Sequence, residues 1–294
     1  MRLNKVVGMV TNVKQRIVRS ISDDDRQRLA NLIHFETHVH RHLDWRSPLD
    51  WVGKFPYLIL EQDKDILAAI ACPPDPPNVA WIRLFAVSSE ISVKQAWAEL
   101  WPVAQSQLAE LGINIFAAAI PLQNWFRELL EDNGFTRSNN VIVLHWNGGA
   151  LPEALLPAGS RIRLMNLDDL TQVESVDMVA FGNVWQNSQS CLEVAFRQAA
   201  IATVVEISGE MAGYQISTMT SMGGHLARLA VKPKFQSLGL GYALVCDMLS
   251  QFNRRNVRNV TVNTQEDNMI SLSLYHKAGF RRSGEKFPVY QCLI

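Results

Sequence analysis

The sequence predicts an α/β protein of two tandem domains on one plan, each a mixed, mainly antiparallel sheet flanked by helices. Its 294 residues make about two ordinary domains. Strand-like and helix-like segments alternate in both halves, which is the pattern of a mixed sheet with helical cover. Anchors also recur at one spacing. Arg16-Ile17-Val18 and Arg161-Ile162-Arg163 each begin a strand followed by an acidic turn and a helix, 145 residues apart. Leu84-Phe85-Ala86-Val87 answers Arg228-Leu229-Ala230-Val231 at 144, and Asn133-Gly134-Phe135 answers Ala278-Gly279-Phe280 at 145. Their order and near-constant offset point to a duplication.

Glycines and prolines between Asn147 and Gly159 break any sustained period, so this segment is the expected linker between domains at 1–150 and 151–294. Each half then reads as strand, helix, strand pair, central strand, helix, strand, helix and terminal hairpin. In the second half the expected strands are Ile201 to Ile207, Gly213 to Thr220, His225 to Val231 and Asn259 to Thr264. A helix is expected from about Gly241 to Arg254, because Leu244, Val245, Met248, Leu249 and Phe252 fall at helical spacing and define one buried face.

Hydrophobic residues make up 48% of the chain and the basic and acidic residues balance at 28 each. That composition is globular, and it carries no overall field to recruit nucleic acid or an anionic membrane, so a small partner is expected. No apolar run approaches the length of a membrane span, and Val6 to Val10 is too short for a signal-peptide core, which makes a cytoplasmic location the expectation. Cys72, Cys191, Cys246 and Cys292 lie far apart without paired spacing and read as reduced, structural thiols. Cys191 has the most polar neighbours and is the one to test for reactivity.

Chemistry concentrates after the strand that ends at Val231. There Gln236, Gly239 and Gly241 lead into a helix. A glycine loop at a helix start serves either as a turn and cap or as an anion site, where unpaired N–H groups meet a phosphate that no Cβ obstructs. The loop lacks the Gly-Lys-Ser/Thr ending of a nucleotide triphosphate site and the third glycine of a dinucleotide fingerprint. Further on, Asn268, Ser271 and Tyr275 fall at i, i+3 and i+7 and share one helix face.

Gln236-x-x-Gly239-x-Gly241 after an Ala-Val strand end resembles the coenzyme A pyrophosphate loop of the GNAT acyltransferases. Asn268-x-x-Ser271-x-x-Leu274-Tyr275-x-x-x-Gly279-Phe280 is similar to the Asn-x-x-Ala-x-x-Leu-Tyr-x-x-x-Gly-Phe helix of that family, above all of its N-terminal amino-group acetyltransferases, with Ser for Ala the only departure. The match runs from about Arg161 to Ile294 and makes the fold two tandem GNAT-like domains.

The resemblance implies acetyl-CoA as co-substrate, no metal, and direct attack of an amine on the thioester. By analogy, the backbone of Leu229 and Val231 pairs with the pantetheine arm, Asn268 braces the coenzyme, and Tyr275 is the general acid, its phenol protonated at neutral pH. Relatives often place a glutamate base where this chain has Gly223 and Gly224, so His225, the nearest titratable group on that strand, is the candidate base or else a surface histidine. Asn183, Trp185 and Gln186 follow the helix that begins near Asp168, in the region that lines the acceptor pocket in relatives; Phe181 and Trp185 form an apolar acceptor wall or pack in the core.

In the first half the offset puts Gln95 and Trp97 where Gly239 and Gly241 stand, and Leu130 where Tyr275 stands. The first half is therefore expected to be a degenerate, non-catalytic copy that shapes the acceptor groove. His34, His38 and His42 fall at i, i+4 and i+8, either as a solvated helix face or as a metal site with no carboxylate or thiol to close it. The expected function is N-acetyl transfer to a small-molecule amine or a peptide N-terminus, with a non-catalytic acyl-CoA sensor as the alternative.

Overall fold

The computed structural model describes residues 15–112 and 115–294; the apolar run Val6 to Val10 lies outside them. The first half runs β1 (Ile17–Ser20), α1 (Arg26–Phe35), β2 (His38–Arg41), β3 (Tyr57–Gln62), β4 (Asp65–Ala71), β5 (Val79–Trp81), β6 (Leu84–Val87), α2 (Val93–Leu111), β7 (Phe116–Ala119), α3 (Asn124–Asp132) and β8 (Thr136–Trp146). The second runs β9 (Ser160–Leu164), α4 (Leu170–Ala180), α5 (Gln189–Arg197), β10 (Ile201–Ile207), β11 (Glu210–Thr220), β12 (Gly223–Val231), α6 (Leu240–Arg254), β13 (Val260–Gln265), α7 (Met269–Lys277) and β14 (Arg281–Leu293). No helix or strand interrupts the expected linker at 147–159.

Counterparts stay close to this spacing: α3 and α7, or β8 and β14, start 145 residues apart. The repeat extends to side chains. Arg19 reaches Asp25 with both terminal nitrogens (2.7 and 2.9 Å) and Glu61 with Nε (2.6 Å). Arg163 does the same with Asp169 (2.7 and 2.8 Å) and Glu206 (2.7 Å). Each arginine thus fastens the acidic turn before the first helix to the neighbouring strand, and its charge holds Asp169 below the usual carboxylate range.

The strands form a five-stranded sheet, β1-β3-β4-β6-β2, and a nine-stranded sheet, β5-β7-β14-β8-β13-β12-β11-β10-β9. The terminal hairpin expected in each half is instead one long strand, and the two halves exchange them. β8 lies between β13 and β14, with Val262 opposite Leu144, while β14 pairs with β7, with Gln291 opposite Ala118. The hairpin expectation failed because local turn chemistry says nothing about a partner on the far side of the chain. α6 packs the predicted face, Leu244, Val245, Met248, Leu249 and Phe252, into the second-half core.

The histidine spacing was misread as helical. α1 ends at Phe35, so His34 is helical, His38 lies in β2, and His42 follows β2 with its ring stacked on Trp81 at 4.6 Å. No metal-binding group of three or more His, Cys, Asp or Glu residues occurs among the described residues, and no helix there is long and apolar enough to cross a membrane.

Because β8 supplies the neighbour of β13, residues 151–294 expressed alone should leave β13 with a bare edge. Such a fragment is expected to be largely insoluble or to show no cooperative thermal transition by circular dichroism, whereas the full chain melts cooperatively.

Candidate active site

β12 and β13 run parallel and pair only from Gly224 to Leu226, opposite Val260 to Val262. Beyond that they separate. A register shift against β11 leaves Ala227 without a partner between Leu226 and Arg228, and a bulge of this kind bends a strand and re-aims its side chains. From Arg228 to Val231 β12 therefore pairs with β11 on one side only, and its other backbone edge faces the gap.

At the end of that edge the chain enters α6 through Gly239, whose φ of 81° suits glycine and whose Cβ direction is open space. No side chain caps α6, which leaves its first-turn N–H groups free of side-chain partners. Gln236 is committed elsewhere, donating from Nε2 to the Val231 carbonyl at 3.0 Å and so fixing the turn. Gly241 is small for packing, since a Cβ there would meet Leu274 Cδ1 at 3.1 Å and part α6 from α7.

A cavity of about 510 Å³ opens beside the separated strands and is walled by both halves of the chain. His225, Leu229, Asn268, Ser271 and Tyr275 line it, as do Phe181 and Trp185, whereas Val231, Gln236, Gly239 and Gly241 lie outside its wall along the edge and helix start. Asn268 is the N-cap of α7, accepting from the Ser271 N–H at 3.1 Å, so it fixes the start of the helix that carries Tyr275. Tyr275 is 5% exposed, and burial pushes its phenol above the usual range, opposed by the nearby charge of Arg228. His225 Nδ1 lies 2.8 Å from Thr261 Oγ1, and burial lowers its pKa below 6.5, which favours the neutral ring. Cys191 is buried and pushed up to about 12 by that burial, so it is a packed thiol and not a nucleophile.

The missing glutamate has a steric cause. Gly223 has a φ of 138° and the Asn259 carbonyl oxygen lies 2.4 Å from where its Cβ would stand, while a Cβ on Gly224 would meet the Phe252 ring at 2.8 Å. Neither position has room for a side chain.

A buried ion pair, not evident from the sequence, holds one wall of the cavity together. Arg228 donates from Nε and Nη2 to the two carboxylate oxygens of Asp177 (2.7 and 2.8 Å) and from Nη2 to the Trp185 carbonyl (2.5 Å). The Asp177 carboxylate also accepts from the Tyr214 hydroxyl and from the Asn187 N–H. The Phe181 ring lies 3.6 Å from the guanidinium carbon. Trp185 packs on Trp81 of the first half, and Trp81 Nε1 donates to the Val184 carbonyl at 3.3 Å. Only the alternation of polar and apolar residues along β12 could have signalled Arg228, and the bulge disturbs that alternation.

The first half answers each open feature with a filled one. β5 and β6 together stand where β12 stands in the second half. Along the edge of β6 lies β2, with His38 opposite Val87 and His40 opposite Phe85. Ser92 caps α2 by accepting from the Gln95 N–H, and Trp97 is buried against Phe85 and Trp101.

Comparison with known proteins accords with this geometry. The acetyltransferase (GNAT) domain family matches residues 169–292. An uncharacterized N-acetyltransferase of Methanocaldococcus jannaschii is 28% identical over 130 residues, 41% of this chain and 77% of the relative. A ribosomal protein alanine N-acetyltransferase of Escherichia coli is 28% identical over 76 residues, 26% of this chain and about half, 51%, of the relative's length. A tandem GNAT protein from the clavulanic acid biosynthesis pathway superposes with a TM-score of 0.63 at 14% identity, covering 95% of this chain and 98% of its own. A GCN5-related N-acetyltransferase of Sphaerobacter thermophilus gives 0.61 at 15% identity, covering 95% of each chain.

Gly224→Glu, which would restore the family's usual carboxylate, is expected to destabilise the protein by about 2 kcal/mol or more through overpacking against Phe252, and to leave turnover unimproved. Thermal melting beside a thiol-release assay checks it. With the open strand edge and the uncapped helix, residues 169–292 match the acetyltransferase (GNAT) domain family, and the chain as a whole shares the fold of a tandem GNAT protein.

Proposed function

We propose that the protein moves an acetyl group from acetyl-CoA to a primary amine of a small molecule or a peptide N-terminus. The observation that carries this reading is the unpaired edge of β12 from Ala227 to Val231, running from the cavity that holds Tyr275 to the uncapped start of α6. These groups fit an acyl-CoA. Leu229 and Val231 offer backbone to the amides of the pantetheine arm, and the α6 N–H groups with Gly239 offer a cradle to the pyrophosphate. Acetyl-CoA supplies an acyl group activated as a thioester. The Escherichia coli relative is named for acetylating an alanine of a ribosomal protein, which supports an amine acceptor.

Within the cavity Tyr275 keeps its proton across the neutral range and gives it to the departing sulfur. His225 takes the proton that the acceptor ammonium must lose. The Thr261 hydroxyl lies 3.5 Å from the Gly224 carbonyl and accepts from His225 Nδ1–H, which leaves Nε2 as the basic nitrogen. Phe181 and Trp185 form the acceptor wall. The first half is a non-catalytic copy whose coenzyme edge is taken by β2.

Four outcomes test this. Free-thiol release from acetyl-CoA with a panel of amines and peptides should show turnover; binding of acetyl-CoA without release would favour a sensor. Tyr275→Phe should lower kcat by about 100-fold with little change in acetyl-CoA affinity. The base must be neutral to act, so kcat should fall on acidification with a midpoint below 6.5, and His225→Gln should abolish that limb. Calorimetric titration with acetyl-CoA should give one site per chain; two sites would overturn the assignment of the first half.

A further inference from the structure

Resting on the acetyl-transfer reading, we infer that Arg228 binds a carboxylate of the acceptor, so that the acceptor is a free amino acid or related amino-carboxylate and not a peptide N-terminus. Two of the three guanidinium nitrogens are committed: Nε and Nη2 hold Asp177, and Nη2 also holds the Trp185 carbonyl. Nη1 has no hydrogen-bond partner among the described residues, and it is not one of the buried polar atoms left unpaired there. Arg228 lines the cavity with His225 and Tyr275, and Nη1 is the guanidinium nitrogen left for a ligand there.

The setting makes this donor rigid. Asp177 is fully buried and grips one side of the guanidinium, and the Phe181 ring covers a face. Burying such a pair is costly, and an apolar pair of similar volume would pack the site at least as well. What the ion pair adds is a fixed cationic donor at the wall where the acceptor's amine has to approach. An α-amino acid places a carboxylate two bonds from its amine, so that Nη1 neutralises and orients the acceptor in one contact.

The test uses the full chain, acetyl-CoA, the twenty L-amino acids and their amino acid amides. The amides keep the amine and side chain but lack the carboxylate. For the best acceptor, kcat/KM of the acid should exceed that of its amide by about tenfold or more. Arg228→Lys, which keeps a cation opposite Asp177 but loses the fork, should bring the ratio below about twofold without changing KM for acetyl-CoA. Equal use of acid and amide by the wild type, better use of peptides than of free amino acids, or an unchanged ratio in Arg228→Lys would overturn the inference. Should the variant fail to fold, the wild-type comparison of acid with amide decides alone. If no acceptor releases thiol, the acetyl-transfer reading fails while the subsite is still read by calorimetry of the full chain with coenzyme A. Binding of acids but not amides supports the subsite, and indifference between them refutes it.

Discussion

The separation of β12 from β13 is the constraint on which the rest of the molecule turns. Two parallel strands that part after three paired residues leave a row of backbone donors and acceptors without partners, and a protein interior tolerates such a row only where something else is to fill it. The Ala227 bulge, the left-handed Gly239 and the tight seam of Gly241 against Leu274 all serve to hold that gap open. The exchange of β8 and β14 closes the sheet on the other side of β13, so the gap costs the sheet none of its continuity.

The two halves give opposite answers to the same gap. In the first, the segment after α1 folds back as β2 and satisfies β6 from within the chain. In the second, the corresponding segment after α4 makes a tight turn at Asn183–Trp185 and stops short of the edge. A strand added from within and a ligand added from outside are alternative solutions to one hydrogen-bonding problem. Having taken the first solution, the N-terminal half fills its helix start with Trp97 and lends residues such as Asp44 and Trp81 to the wall of the cavity.

Much of this was legible in the sequence, and the legible part was local or periodic. The helix face of α6, the β10 strand, the linker and the repeat spacing depend on side-chain period and on glycine and proline, which act over a few residues. Tyr275, Asn268 and Ser271 could be placed on one cavity wall because a helix converts spacing into direction. The strand exchange was not legible, since pairing partners lie in different halves and either register satisfies the same alternation. Nor was the reason for Gly223 and Gly224, which lies in Phe252 and the Asn259 carbonyl. The Arg228–Asp177 pair joins a bulged strand to a distant helix, and His38 and His42 mimicked a helix period while belonging to a strand and the residues after it.

The exchanged strands also set an order of assembly. β7 has β5 on one side but finds its other neighbour in β14, the last of the described strands, and β8 finds both of its neighbours in the second half. During synthesis β7 and β8 therefore emerge without these partners and wait until β13 and β14 have been made. Their contacts are among the most distant in sequence, which marks the chain as a slow folder with exposed strand edges in the interval. The half whose strand edge is already filled by β2 is thus also the half whose last strands wait for partners from the other.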